Sequence, residues 1–144
     1  MISGEKPIAL VVRSEKDANK ARLELARIGF DNLTGYVIAD NLTQTQKLPQ
    51  ISAGDLRSSL QNNGPFVLDV RTPNEWKGNH IENATHAPLA SFAKKIPDLP
   101  KDQRIAVVCG SGYRSSIAGS MLQARGYNTI ENVAGGMEAY EEAG

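Results

Sequence analysis

The 144-residue sequence predicts an α/β fold, a parallel sheet with helices on both faces. Two observations carry that expectation. Short apolar runs at Ile8–Val12, Phe66–Val70 and Ile105–Val108 alternate with segments whose apolar residues recur at helical spacing. The helical segments also carry their own start and stop residues, such as Thr72-Pro73 before Glu75 and glycines at 29 and 126. In such folds ligands bind where the strands end at their C-termini, and two chemically rich stretches fall there: Asp69-Val70-Arg71 and Cys109-Gly110-Ser111-Gly112-Tyr113-Arg114.

Taken in order, Ile8–Val12 reads as a short buried strand. It is followed by a helix with Ala18, Ala21, Leu25 and Ile28 on one face and Gly29 as its stop, then by a strand over 33–38. Residues 41–50 are polar, lack apolar periodicity and read as a linker. Ser52 and Asp55 open a helix, and Asn62-Asn63-Gly64 closes it. Phe66–Val70 is a strand with a carboxylate near its end. Thr72, Pro73 and Glu75 then form a capping-box helix start. A brief strand over 84–87 and a helix over 88–96 precede the breakers Pro97 and Pro100. Ile105–Val108 leads into Cys109. A helix over 114–125, with Ile117, Ala118, Met121 and Leu122 facing inward, stops at Gly126. A strand over 129–133 and the Gly135-Gly136 turn lead to a terminal helix.

Sixteen basic and sixteen acidic residues cancel, which argues against a non-specific nucleic-acid binder. No apolar run approaches the ~20 residues of a membrane span, and the first residues lack a signal-peptide pattern. The expected location is cytoplasmic, where a thiol stays reduced. One cysteine excludes an internal disulfide and a cysteine-based zinc site. With only His80 and His86 besides, no metal centre is expected.

Cys109 stands between a buried strand and a glycine-containing turn that opens a helix. Backbone N–H groups at such a turn stabilise a thiolate and cradle an anion attached to it, and such surroundings lower a cysteine pKa from about 8.5 to roughly 3.5–7.5. Gly110 and Gly112 permit left-handed backbone, Arg114 adds a fixed charge, and Ser111, Ser115 and Ser116 add donors.

Residues 8–36 align without gaps onto 105–133. Ile8, Ala9, Val11, Ser14, Ala21, Leu25 and Gly29 meet identical residues. Val12 stands where Cys109 stands, and Asp17 where Arg114 stands. The expectation is that residues 1–40 are the remnant of an upstream inactive repeat, 41–50 a linker and 51–144 the active domain.

Four motifs in order resemble the rhodanese family over 51–144. Asp69-Val70-Arg71 with Glu75-Trp76 resembles its Asp-x-Arg–Glu-Trp signature. Gly78-Asn79-His80-Ile81 through Ala84 resembles Gly-His-Ile-x-x-Ala with one added residue. Cys109–Arg114 resembles the active loop, and Ala134-Gly135-Gly136-Met137 the closing Gly-Gly motif. The tandem arrangement is similar to rhodanese domains that follow a metallo-β-lactamase-like persulfide dioxygenase, an implied upstream partner.

The resemblance implies a five-stranded parallel sheet and a sulfurtransferase. Cys109 would take sulfane sulfur from thiosulfate or a persulfide and pass it to a thiol, cyanide or a protein acceptor, with no cofactor beyond its own persulfide. Gly110, Ser111, Gly112, Tyr113, Arg114 and Ser115 would bind the donor, and Asp69 and Arg71 would brace the loop. Gly110 replaces an arginine common in the family, which implies a preference for less anionic donors than thiosulfate. Tyr140 stands where a tryptophan is common. His80 and His86 are expected to be hydrogen-bonded loop residues, and Trp76 core.

Two other readings remain open. One is a non-catalytic regulatory, sulfur-binding or redox-sensing module with an exposed thiol. The other is an oxyanion enzyme of the phosphatase or arsenate-reductase type, whose loops are one residue longer than the six from Cys109 to Arg114.

Overall fold

The computed structural model describes residues 6–92 and 94–144, in two compact units divided between Gln46 and Lys47. The second unit holds a five-stranded, wholly parallel sheet. Its strands are β3 (Gln50–Ile51), β4 (Phe66–Asp69), β5 (Thr85–His86), β6 (Ile105–Val108) and β7 (Ile130–Val133), in spatial order β3-β7-β6-β4-β5. β6 is central, and its side chains alternate between two cores. Ile105 and Val107 join Leu68, Phe92, Ala118, Leu122 and Ile130 on one face. Ala106 and Val108 join Ile51, Leu56, Val67, Val133 and Met137 on the other. The helices α2 (Ala53–Leu60) and α6 (Gly136–Glu142) supply Leu56 and Met137 to one core. α4 (Leu89–Phe92) and α5 (Tyr113–Gln123) supply Phe92, Ala118 and Leu122 to the other. Covering both faces explains why all four residues of β6 are apolar and buried.

The helix starts follow the sequence closely. Ser52 accepts the Asp55 N–H at the start of α2. α3 (Pro73–Gly78) opens with the full capping box between Thr72 and Glu75. Two expectations for this unit needed correction. α4 ends at Phe92 and does not run to Ile96, consistent with Pro97 disfavouring helical backbone at the residue before it. On α5, Ala118 and Leu122 face inward as expected and half-buried Met121 packs against the same core, but Ile117 is 41% exposed, because the buried face also takes in the small residues Ser115 and Gly119. Gly119 is there for space: a Cβ would stand 2.7 Å from the Leu48 side chain.

The first unit contains β1 (Ile8–Val12) and β2 (Leu33–Ile38), paired in parallel, with α1 (Glu15–Arg27) between them in sequence. β1 is a strand but not a buried one: its exposure alternates, with Val11 63% exposed. Within this unit α1 covers one face of a two-stranded sheet, so the opposite side chains keep solvent contact. Ala18 is buried on α1, Ala21 and Leu25 are half-buried, and Ile28 is exposed.

The aligned segments share backbone detail. Gly29 and Gly126 both adopt left-handed φ, at 83° and 85°. Behind them the Phe30 N–H bonds the Leu25 carbonyl, as the Tyr127 N–H bonds that of Leu122. The Ile8 N–H bonds the Asn32 carbonyl, as the Ile105 N–H bonds that of Thr129.

Burial separates two α5 positions that the sequence treated alike. Leu122→Ala is expected to destabilise the second unit by about 2–5 kcal/mol. Ile117→Ala should change it by about 0.5 kcal/mol or less. Urea denaturation followed by Trp76 fluorescence compares them.

Candidate active site

Cys109 follows directly on β6, and its carbonyl and that of Gly110 are turned into the first turn of α6. The Met137 N–H bonds the Cys109 carbonyl at 2.7 Å, and the Glu138 N–H bonds that of Gly110 at 3.1 Å. Gly136 makes this approach possible: a Cβ there would lie 2.4 Å from both oxygens. With the Gly110 carbonyl held outward, the Ser111 N–H of the same peptide turns inward. The Gly112 N–H donates to Cys109 Sγ at 3.2 Å, and the Ser111 N–H also faces the sulfur. Gly112 adopts φ 93° to enter α5, a conformation that favours glycine. Gly110 has no positive φ, contrary to expectation. Its missing side chain serves space instead, since a Cβ would sit 3.2 Å from Arg114 Nη2.

Ser115, fully buried on α5, places Oγ 3.3 Å from Sγ and 2.5 Å from Asn132 Oδ1. Asn132 Nδ2 in turn donates to Gln50 Oε1, which turns Oδ1 toward the serine. A hydroxyl has one proton to donate. Against a thiol the Ser115 proton serves Asn132; against a thiolate it can turn to the sulfur. Burial is the largest single influence on Cys109 and pushes its pKa up. The Ser115 hydroxyl and N–H, then the Gly112 and Ser111 N–H groups, together outweigh it and leave the thiol below its ordinary value.

Arg114 reaches across the loop to Glu75 on α3 in a bidentate pair, Nη1 to Oε2 at 2.8 Å and Nη2 to Oε1 at 2.6 Å. The Arg114 hydrogen bonds, followed by the Thr72 hydroxyl, hold the Glu75 carboxyl well below the usual carboxylate range. Glu75 first and, more weakly, the Cys109 sulfur hold the Arg114 guanidinium well above its ordinary value.

Asp69 and Arg71 form a second pair, almost wholly buried, with Arg71 Nε and Nη2 on the Asp69 carboxylate at 2.7–3.1 Å. It braces the neighbouring segment, not the cysteine loop: Arg71 donates to the Asn79 carbonyl and Oδ1, and His86 Nε2–H donates to the Arg71 carbonyl. His80 and His86 are hydrogen-bonded, as expected. Trp76 is not core. It is half-buried, sandwiched between the two imidazoles at centroid distances of 4.0 and 4.7 Å.

The structure therefore brings Cys109, Gly110, Ser111, Gly112, Arg114 and Ser115 together, while the Tyr113 side chain is 74% exposed. Cys109 itself is 1% exposed, so the expected exposed thiol is a buried one. Sequence reasoning saw Glu75 as a cap and a signature residue but not as the partner of Arg114, and it missed Glu138, silent on the terminal helix. It also missed Asn132, whose signal was a polar residue inside an apolar strand. Among the described residues no cluster of potential ligands could hold a metal ion, and no helix is long and apolar enough to cross a membrane.

Comparison with known families decides the kinship. The rhodanese-like domain model matches residues 52–143. The chain belongs to the rhodanese-like domain family. A thiosulfate sulfurtransferase, GlpE of Pseudomonas syringae, is 29% identical over 99 residues, which is 69% of this chain and 90% of that protein. A Bacillus subtilis relative whose name describes a sulfur carrier is 30% identical over 91 residues; the match takes in 62% of this chain and about half (49%) of that protein's length. A rhodanese-related protein from Thermoplasma volcanium superposes with a TM-score of 0.59 at 31% identity, covering 67% of this chain and 93% of its own. Sulfur transfer is thereby supported at the level of the family.

Because Cys109 is the sole cysteine, thiolate absorbance in the ultraviolet reports it alone. Its thiolate is expected to appear, as pH rises, below the pH at which a free thiol ionises. Ser115→Ala should move that transition upward by about one unit. As pH falls through 4 to 5, the Arg114–Glu75 pair should persist, since a carboxyl with a depressed pKa protonates only in stronger acid.

Proposed function

We propose that this domain is a sulfurtransferase that moves sulfane sulfur from thiosulfate or a persulfide donor to a thiol or cyanide acceptor through a persulfide on Cys109. The observation that carries the reading is the pair of donors on Cys109 Sγ, the Gly112 N–H and the Ser115 hydroxyl, at the start of α5. They favour the attacking thiolate and then the terminal sulfur anion that replaces it.

In the first half-reaction the Cys109 thiolate attacks the outer sulfur of the donor. The Cys109 S–S bond forms as the donor's own bond to that sulfur breaks. From thiosulfate the leaving group is sulfite; from a persulfide it is a thiolate, the persulfide proton staying with the transferred sulfur. In the second half-reaction an acceptor thiolate or cyanide attacks the outer sulfur, and the Cys109 thiolate leaves. Sulfur is the only group carried, so no cofactor enters either step. The near-complete burial of Cys109 favours donors with a terminal, protruding sulfur. Arg114 and the loop N–H groups are the donor-binding elements. Asp69 and Arg71 hold the segment bearing α3, and with it Glu75.

The same proposal includes a cytoplasmic location and a small-molecule or protein thiol as acceptor. We also read the β1–α1–β2 unit as the remnant of an inactive repeat, with Val12 at the nucleophile position.

Intact mass after incubation with thiosulfate or glutathione persulfide is expected to rise by one sulfur atom, removable by cyanide or thiol. Cys109→Ser should gain none. If the wild-type protein gained no sulfur from either donor, the thiol would be acting as a redox-sensing or regulatory group instead.

A further inference from the structure

We propose that Glu75 and Glu138 rank the donors by charge, so that the site loads from organic persulfides of low or positive charge faster than from dianions such as thiosulfate. The inference rests on the sulfur-transfer reading and deepens it.

Three observations meet at one point beside the loop. The position a Cβ would take on Gly110 lies 3.2 Å from Arg114 Nη2, 3.7 Å from Glu75 Oε1 and 3.9 Å from Glu138 Oε1. Two carboxylates from different helices, α3 and α6, therefore flank the same stretch of loop that carries one guanidinium. Arg114 meets the donor as a paired cation: Glu75 takes one N–H from each terminal nitrogen and offsets its charge, while its remaining N–H groups stay available to the donor. That leaves Glu138 uncompensated: it has no ion-pair partner among the described residues and is exposed. The N–H groups at Cys109 Sγ are partial charges sized for a single sulfur anion. Beside them, one guanidinium and two carboxylates, Arg114 with Glu75 and Glu138, leave a formal charge of one negative unit.

The bare Cα at Gly110 is part of the same arrangement. A Cβ there would stand 3.2 Å from Arg114 Nη2, so a side chain at this position would press on the guanidinium that pairs with Glu75. A donor bearing two negative charges meets repulsion from Glu138 without an opposing free arginine. A persulfide on a carrier with an ammonium group meets attraction from the same carboxylate.

Single-turnover loading of the full chain tests this with three donors: thiosulfate, glutathione persulfide and cysteamine persulfide. The two organic persulfides break the same kind of bond and differ in carrier charge. Cysteamine persulfide is expected to load faster than glutathione persulfide, with the gap narrowing as salt is added. Glu138→Gln should raise the thiosulfate rate about fivefold, the order expected from one charge facing two across several ångströms of water, without raising the cysteamine persulfide rate. Glu75→Gln, which frees Arg114, should act in the same direction. Glu131→Gln, which removes an acidic residue paired with Arg104, should leave the donor ratios unchanged. Equal effects of Glu138→Gln on all three donors, or none on any, would overturn the charge selection while leaving sulfur transfer intact. Failure of every donor to load the wild-type chain would overturn both.

Discussion

The site depends on the direction of two peptide groups. The carbonyls of Cys109 and Gly110 point into the first turn of α6, where the Met137 and Glu138 N–H groups take them. The Gly110 oxygen shares its peptide with the Ser111 N–H, so fixing it outward turns that N–H toward the sulfur, and the Gly112 N–H one peptide further on donates to Sγ. The contact exists only because Gly136 has no side chain. The terminal helix is therefore as much a part of the sulfur's environment as the loop itself.

Around that core the charges are arranged in pairs of unequal purpose. Asp69–Arg71 is almost fully sealed from solvent and, with every oxygen of the aspartate occupied, holds a chain segment in place. Buried pairs of this kind offer little net stability compared with apolar packing, but removing one partner is costly. Arg114–Glu75 is about one-third exposed on each side and lies beside the Cys109 loop. Its consequence is electrostatic: it sets how much positive charge an incoming donor meets.

Much of this was legible in the chain. Alternating apolar runs and capped helical segments were enough for a parallel α/β sheet, because strand burial on two faces demands uninterrupted apolar residues such as Ile105–Val108. The Thr72–Glu75 capping box and the Gly29 and Gly126 stops are local rules satisfied within a few residues, and they appear where expected. Ile8–Val12 is the instructive failure. Its run of apolar residues is the same signal, yet half of it faces solvent, since burial depends on what covers a strand and not on the strand's own composition.

By itself the sequence singled out Cys109 as the candidate nucleophile and the turn that follows it, since these lie within one short contiguous stretch, and its four ordered motifs indicated the family. Tertiary structure alone decided the partners. Glu75, Asn132 and Glu138 lie 34, 23 and 29 positions from Cys109, and each reads locally as a cap, a strand residue or a helix residue. They meet the loop because a parallel sheet gathers the C-terminal ends of its strands, and the helices that follow them, at one edge. Long-range electrostatics of that kind leaves no periodicity in a sequence to be read.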